Sequence, residues 1–195
     1  MLHVSAATLS SMPPCATGIE ASQPWADCTL QLKPLYDPLP PTSVNFTTSD
    51  AEAGALFAHA EKCEAANTAL YGPGFEVLVE GSHYNNVWLE TQPMGGAMYG
   101  VRNLRLAVNN QLVFMRTQRQ DGRLPGMVTD VKGTPTGVVH PTYSYPGNAS
   151  HSMLQGFYMA SPGVDVAWLM NRSGGSQAAE FLSELKRVLT RFEAW

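Results

Sequence analysis

Apolar residues recur in steps of three and four positions over two long stretches of the chain, the spacing that places them on one face of an α-helix. The clearest stripe predicts a helix over 97–118, and its members are Ala97, Val101, Leu104, Val108, Leu112 and Met115. A second stripe predicts a helix near the end of the chain, and its members are Ala178, Leu182, Leu185, Leu189 and Phe192. Shorter helices are predicted over 152–159 and 163–171.

An earlier helix is predicted from Ser49 to about Ala69. Ser49 and Glu52 have the spacing of a capping box, in which the hydroxyl and the carboxylate bind free amides of the first turn. The apolar positions that follow it are Leu56, Ala60 and Cys63. Glycine and proline at 72–74 end this helix, 76–80 is predicted to be extended, and 129–150 is predicted to be a loop.

The two ends of the chain differ in organisation. Residues 1–48 contain prolines at seven positions and are predicted to be an irregular leader or extension, followed by a mainly α domain over 49–195. No glycine, asparagine or proline follows the last helical stripe, so we expect Trp195 to lie inside an unfinished helix and the domain to be incomplete.

Composition excludes several classes of protein. The formal net charge is −4 and no basic run exists, which argues against a nucleic-acid partner. No apolar run is long enough to cross a membrane, and 1–16 lacks the features of a signal peptide, so we expect a soluble protein of undecided compartment.

Cofactor and metal sites are likewise not predicted. The five histidines form no pair at helical spacing and no cluster with cysteine, and no glycine-rich phosphate loop follows a strand. The three cysteines, Cys15, Cys28 and Cys63, are predicted to be free thiols.

The residues best suited to chemistry lie in three segments, 87–96, 109–111 and 118–126. Tryptophan stacks on the apolar side of a sugar ring, while amides and carboxylates bind its hydroxyl groups, and hydrolysis of a glycoside needs one carboxylic acid and one carboxylate. The candidates of these types are Trp88, Glu90, Gln92, Asn110, Gln111, Asp121 and Arg123.

These segments, mainly over 88–127, resemble the six-hairpin glycosidases, the (α/α)6-barrel hydrolases that include trehalases, processing α-glucosidases and mannosylglycerate-type hydrolases. A weaker similarity over 154–168 adds Gln155 to the residues expected to bind substrate. The resemblance implies a partial (α/α)6 toroid of helical hairpins. It also implies that Asp121, in an Asp-Gly turn after a helix, is the general acid. Glu90 stands where the family more often has aspartate, so it is either a sugar ligand or the acid itself.

In the resembled families the catalytic base is a glutamate late in the chain, beyond the residues present here. The resemblance therefore implies the N-terminal part of a glycoside hydrolase for a glucoside or mannoside, acting with inversion, and no turnover by this chain alone. We also expect an open half-barrel to expose apolar surface and to self-associate. The alternatives are a non-catalytic helical module that binds carbohydrate or protein, and the product of a damaged gene.

Each candidate residue also has a structural interpretation. Asp121 is equally typical of a simple turn, and Trp88 of a core residue. Arginines at 116, 119 and 123 would favour the ionised form of Asp121 if they closed on it, which does not suit an acid. Asn109 is expected to face solvent, and Asp165 either binds sugar or caps a helix.

Overall fold

The structure is a computed structural model that describes residues 30–31, 36, 44–81, 84, 86–119, 121–130, 138–145, 148–152 and 156–194. This part of the chain is mainly α, as predicted, and it also contains short strands. Its five α-helices are α1 (Ala51–Ala66), α2 (Gln92–Tyr99), α3 (Leu104–Arg116), α4 (Ala160–Arg172) and α5 (Ala178–Glu193). A 3-10 turn, Gly156–Met159, leads directly into α4.

The described strands are short and pair only in the antiparallel sense. They are β1 (Leu30–Gln31), β2 (Thr68–Leu70), β3 (Glu76–Leu78), β4 (Asn86–Trp88), β5 (Met127–Asp130), β6 (Val138–Thr142), β7 (Ser144–Tyr145) and β8 (Asn148–Ser152). One sheet has the order β1-β6-β5-β4, while β2 with β3 and β7 with β8 form separate pairs.

Helix α3 is the centre of the hydrophobic core. Eleven of its 13 residues are buried, because α2, α4, α5 and strand β3 all pack against it. The residue that caps its N-terminus is Asn103, whose Oδ1 accepts a hydrogen bond from the Leu106 amide at 3.1 Å. This side-chain cap supplies one of the partners that the first turn of a helix lacks.

The helix predicted over 97–118 is therefore two helices. α2 ends at Tyr99 and α3 starts at Leu104, so four residues, 100–103, separate the two helices. A Cβ on Gly100 would lie 2.9 Å from Leu169 Cδ1 and 3.0 Å from Ala107 Cβ, so the chain passes closely between α4 and α3 at this point. The apolar stripe continues across the break. The spacing of apolar residues therefore cannot reveal that the helix is interrupted.

Two other predicted features need correction. The cap of α1 is Asp50 and not Ser49, because Asp50 Oδ1 accepts from the amides of Glu52 and Ala53 at 2.9 and 3.1 Å. Region 129–150, predicted to be a loop, contains strand residues of β5, β6, β7 and β8. The extended segment predicted over 76–80 is confirmed in part by β3.

Helix α5 buries a face rotated from the predicted one. Its buried residues are Ala178, Phe181, Leu185 and Val188, whereas Leu182 is 40% exposed. The predicted members Leu189 and Phe192 are partly buried against the core. Trp195, Gln155, Cys15 and Cys28 lie outside the described residues, so the predictions for them are not addressed by the structure.

No helix in the described part of the chain has both the length and the apolar character needed to cross a membrane. Cys63 is exposed and free, as predicted.

Candidate functional site

Two of the predicted segments meet at one edge of the four-stranded sheet. Trp88, the last residue of β4, pairs with Met127, the first residue of β5. Immediately beyond this pair, the Leu89 amide donates to the Gly126 carbonyl at 2.9 Å, and the Gly126 amide donates to the Thr142 carbonyl at 2.9 Å. The turn at 89–92 and the loop at 117–126 are therefore held side by side, together with the end of β6.

A tight turn over 119–123 shapes the loop. The Arg119 amide donates to the Arg123 carbonyl at 2.9 Å, and the Gly122 amide donates to the Arg119 carbonyl at 3.1 Å. Gly122 has a φ of 97°, which is a left-handed conformation that favours glycine. Asp121 Oδ1 accepts from the Arg123 amide at 3.1 Å, so the aspartate performs the turn role that its sequence context predicts.

Asp121 also forms an ion pair. Its Oδ2 lies 3.0 Å from Arg119 Nη2, and the side chain of Asp121 is 31% exposed while that of Arg119 is 13% exposed. Both carboxylate oxygens thus have donors, one from a guanidinium and one from the backbone. Of the three arginines considered from the sequence, Arg119 forms the ion pair with Asp121.

Arg119 lies between this carboxylate and an aromatic ring. Its guanidinium carbon is 5.5 Å from the centre of the Tyr143 ring, within the range of a cation–π contact. The Tyr143 hydroxyl donates to the Thr117 carbonyl, which ties the start of the loop to the segment after β6. Burial raises the pKa of Tyr143, and the positive charge of Arg119 acts in the opposite direction.

The pKa of Arg123 is affected by Arg119, Asp121 and Tyr143. Burial lowers the pKa of Arg123, the nearby Arg119 lowers it further, and Asp121 and Tyr143 oppose the shift. Arg191 of α5 is also at this turn, where its Nη2 donates to the Arg119 carbonyl at 2.9 Å. We call Arg119, Arg123 and Arg191, with Asp121 and Tyr143, the arginine cluster.

Gln118 anchors the loop, a role that its position after a helix does not predict. It is 1% exposed, and its Nε2 donates to the carbonyls of Gly122 and Val188, both at 2.8 Å. One side chain therefore links the tight turn to α5. Its position is fixed independently of any ligand.

The turn beside the loop carries Trp88, Glu90 and Gln92. Gln92 is 4% exposed and its Oε1 accepts from the Trp88 amide at 2.8 Å, which stabilises the passage from β4 into α2. Thr91 Oγ1 lies 2.7 Å from Glu80 Oε1 and 2.6 Å from Gln92 Oε1. Trp88 and Glu90 are half-buried, and the Trp88 Nε1 atom is buried with no hydrogen-bond partner among the described residues.

The amides of α3 lie elsewhere and bind backbone groups. Asn110 accepts from the Leu78 amide at 2.8 Å and donates to the Leu78 carbonyl at 3.0 Å, and Asn109 donates to the Glu76 carbonyl at 2.9 Å. Gln111 donates to the Pro93 carbonyl at 3.0 Å. The expectation that Asn109 faces solvent is wrong, because its side chain satisfies the edge of β3 and only 2% of the residue is exposed.

Asp165 and Trp168 are exposed on α4, where the guanidinium carbon of Arg172 lies 4.7 Å from the centre of the Trp168 ring. Asp165 is inside α4, whose cap is Met159, so the expectation that it caps a helix is wrong. Within the described residues, histidine, cysteine, aspartate and glutamate form no group of three or more that could hold a metal ion.

Comparison with known proteins returned no match: no family model, no curated protein and no solved structure is similar to this chain.

Proposed function

We propose that the edge formed by β4, β5 and the loop at 117–126 is a carbohydrate site, and that it is part of a glycoside hydrolase of the six-hairpin type acting on a glucoside or mannoside. The observation that carries the proposal is that the segment bearing Trp88 and Glu90 lies beside the end of the loop that bears Asp121. The Leu89–Gly126 hydrogen bond joins the two segments directly. Tryptophan and carboxylates are the residue types that bind the apolar and hydroxyl faces of a sugar.

The side chains divide between binding and scaffolding. Trp88 and Glu90 are half-buried and retain the surface that a ligand needs, whereas Gln92 holds the Trp88 amide and positions that segment. Asp121 remains the proposed acid. To donate a proton it must exchange its Arg119 contact for a contact with the glycosidic oxygen, because both of its oxygens already accept hydrogen bonds.

The order of the helices is consistent with the proposed toroid. Neighbouring helices in the chain pack as pairs, α2 on α3 and α4 on α5, and α3 also contacts α4. A toroid of helical hairpins repeats this kind of pairing. The proposal therefore extends the observed mainly α fold to a partial (α/α)6 arrangement, with the catalytic base supplied by a later glutamate as the resemblance implies.

A second candidate is a non-catalytic binding module that uses a helix face. On α2, Met94 and Met98 are 48% and 77% exposed and are four residues apart, on one face of the helix; Val101, just after the helix, is 43% exposed. Exposed methionines are adaptable contacts for a protein partner. Such a module would use α2 and leave the sheet edge unchanged on binding.

Sugar titration of the whole chain, followed by tryptophan fluorescence, tests the proposal. We expect methyl glucoside, methyl mannoside or trehalose to change the emission of the wild type and of Trp168→Phe, the control with an exposed tryptophan. Trp88→Phe should remove the change. No sugar-dependent signal in the wild type, or a signal that survives Trp88→Phe, would contradict a sugar site at this edge.

Asp121→Asn tests the chemical role separately. The amide keeps the size of the side chain and an acceptor for the Arg123 amide, so we expect folding and sugar binding to persist. Any hydrolysis of an aryl glycoside by the wild type should be lost in the variant, because asparagine cannot donate the proton. Hydrolysis at an unchanged rate would remove Asp121 from the mechanism.

A further inference from the structure

We propose that Glu80, Thr91 and Gln92 form a binding site for a calcium ion, where the end of β3 meets the start of α2. The observation that carries it is the position of one hydroxyl oxygen between two others. Thr91 Oγ1 lies 2.7 Å from Glu80 Oε1 and 2.6 Å from Gln92 Oε1. The inference does not depend on the proposed carbohydrate function, because it concerns only these oxygens and the ion that they would hold.

The three oxygens have too few hydrogen atoms between them. A threonine hydroxyl carries a single hydrogen, whereas an ionised carboxylate and an amide oxygen only accept. Thr91 can therefore donate to Glu80 or to Gln92, and the remaining oxygen faces the lone pairs of the hydroxyl at hydrogen-bond distance. A cation removes this mismatch, because all three oxygens can coordinate it at the same time.

Reversing the amide group of Gln92 does not supply the missing hydrogen without a new conflict. Gln92 Oε1 also accepts from the Trp88 amide at 2.8 Å, so the reversed group would place its NH2 against another N–H donor. Gln92 is 4% exposed, which leaves the side chain little room to turn away. The orientation with the oxygen toward Trp88 and Thr91 is the one that the backbone favours.

The hydroxyl of Thr91 is not used for the role that its position suggests. Thr91 immediately precedes α2, and a threonine at such a position commonly accepts from an amide of the first helical turn. Thr91 forms no side-chain hydrogen bond of this kind. Its hydroxyl is directed instead at Glu80 and Gln92, where it serves as the central member of the oxygen group.

Glu80 supplies the negative charge of the site. It is exposed, and an exposed glutamate is ionised at neutral pH. Within the part of the chain that the structure describes, no ion pair includes Glu80. Asn110 binds both backbone polar groups of Leu78, two residues earlier, so the end of β3 is held in place beside α2.

The chemistry of the ligands favours calcium. Carboxylate, hydroxyl and amide oxygens suit hard cations, and Ca²⁺ accepts them in flexible, often pentagonal-bipyramidal arrangements at about 2.3–2.6 Å. Neighbouring ligands of such a pentagon lie about 2.7–3.1 Å apart. The observed separations of 2.7 and 2.6 Å therefore need to open only slightly. Water would fill the other positions, since the protein offers three oxygens.

The sequence showed no sign of this site. Only one of its three residues is acidic, so it does not belong to the groups of three or more histidine, cysteine, aspartate and glutamate residues that are absent from the described residues. Glu80 and Thr91 are also separated by the whole of β4, and their contact depends on how β3 packs on α2.

Calorimetric titration of the whole chain with calcium chloride, after removal of metal with a chelator, tests the site. We expect a dissociation constant of about 0.1–1 mM, the range of calcium sites with few charged ligands. Glu80→Gln should weaken binding by at least about tenfold, because it removes the only charge among the ligands. Glu76→Gln changes another exposed glutamate, on β3, and should leave the affinity unchanged.

A pair of variants at Thr91 tests the central oxygen. Thr91→Val keeps the shape of the side chain without the hydroxyl and should weaken calcium binding several-fold, whereas Thr91→Ser keeps the hydroxyl and should preserve it. Absence of calcium binding by the wild type would overturn the proposal. An affinity that Glu80→Gln and Thr91→Val both leave unchanged would also overturn it.

Calcium chloride titrated into ¹⁵N-labelled wild type locates the site without a variant. Saturable shifts of the backbone amides of Glu80, Thr91 and Gln92 would support it, whether or not any sugar binds to the chain. Shifts confined to other acidic residues would indicate only a general association of calcium with a negatively charged protein, and would refute the site.

Discussion

Helices α1 and α3 show how differently two helices of one chain are held. α1 has 16 residues and none of them is buried, whereas α3 has 13 residues of which eleven are buried. α1 carries leucine, phenylalanine and a cysteine, and α3 carries three consecutive side-chain amides. The apolar content of the two helices does not predict this large difference in burial.

The difference follows from the partners that each helix meets. The buried amides of α3 form hydrogen bonds with backbone groups of β3 and α2, which offsets much of the penalty for burying polar atoms. Gln111 Oε1 is buried without a hydrogen-bond partner among the described residues. α1 has no buried residue, and its described side-chain contacts with other segments include those of Phe57 and Glu61. Phe57 stacks on Phe46 with ring centres 4.7 Å apart, and Arg102 pairs with Glu61 and lies over the Phe57 ring.

Truncating matched leucines should give the largest contrast between the two helices. Leu112 of α3 is 0% exposed, and Leu112→Ala should lower the free energy of unfolding by about 3–4 kcal/mol, because it removes buried contacts and leaves a cavity. Leu56 of α1 is 64% exposed, and Leu56→Ala should change it by less than about 0.5 kcal/mol. Urea unfolding measures both, and similar losses would mean that α1 is packed against something.

The second largest loss of unfolding free energy is expected from removing a side-chain amide of α3. Asn110→Ala deletes two hydrogen bonds to Leu78 and leaves a backbone donor and an acceptor unpaired, so the loss should be about 2–3 kcal/mol. Asn171→Ala is the control, since Asn171 is exposed on α4, and its effect should be within about 0.5 kcal/mol. If both variants unfold at the same urea concentration, the amide contacts do not stabilise α3.

A pair of glycines should respond in opposite directions. A Cβ on Gly96 of α2 would lie 2.7 Å from Asn110 Cβ, so Gly96→Ala should destabilise by about 1–3 kcal/mol. The nearest atom to a Cβ on Gly54 of α1 is Thr48 Cγ2 at 3.6 Å, an ordinary contact. Gly54→Ala should therefore stabilise by about 0.5–1 kcal/mol through helix propensity, and thermal unfolding of the two variants tests the signs.

The helical part of the fold was predictable because its signals are local. The stripes at 97–115 and 178–192 mark real helices, since a repeated spacing survives in the sequence whatever packs on it. The break at 100–103 was not predictable from the stripe. It depends on the Asn103 cap and on the close approach of Gly100 to Leu169, which is a contact between distant parts of the chain.

The strands were missed for a related reason. Those between 127 and 152 have two to five residues each and include Pro141 and Gly-rich neighbours, so they show neither alternation nor length. At the site, the dipeptide Asp121-Gly122 correctly predicted a turn. The partners Arg191 and Tyr143 could not be predicted, because they reach the turn from later elements.

The amides of α3 have one more consequence, for the outer edge of the β2–β3 hairpin. Asn109 and Asn110 together bind the Glu76 carbonyl and both polar groups of Leu78, much as a neighbouring strand would. Those groups of β3 are therefore not offered to another polypeptide. The asparagines of α3 were expected to face water or sugar. They instead occupy the free edge of β3 and so prevent edge-to-edge aggregation through that strand.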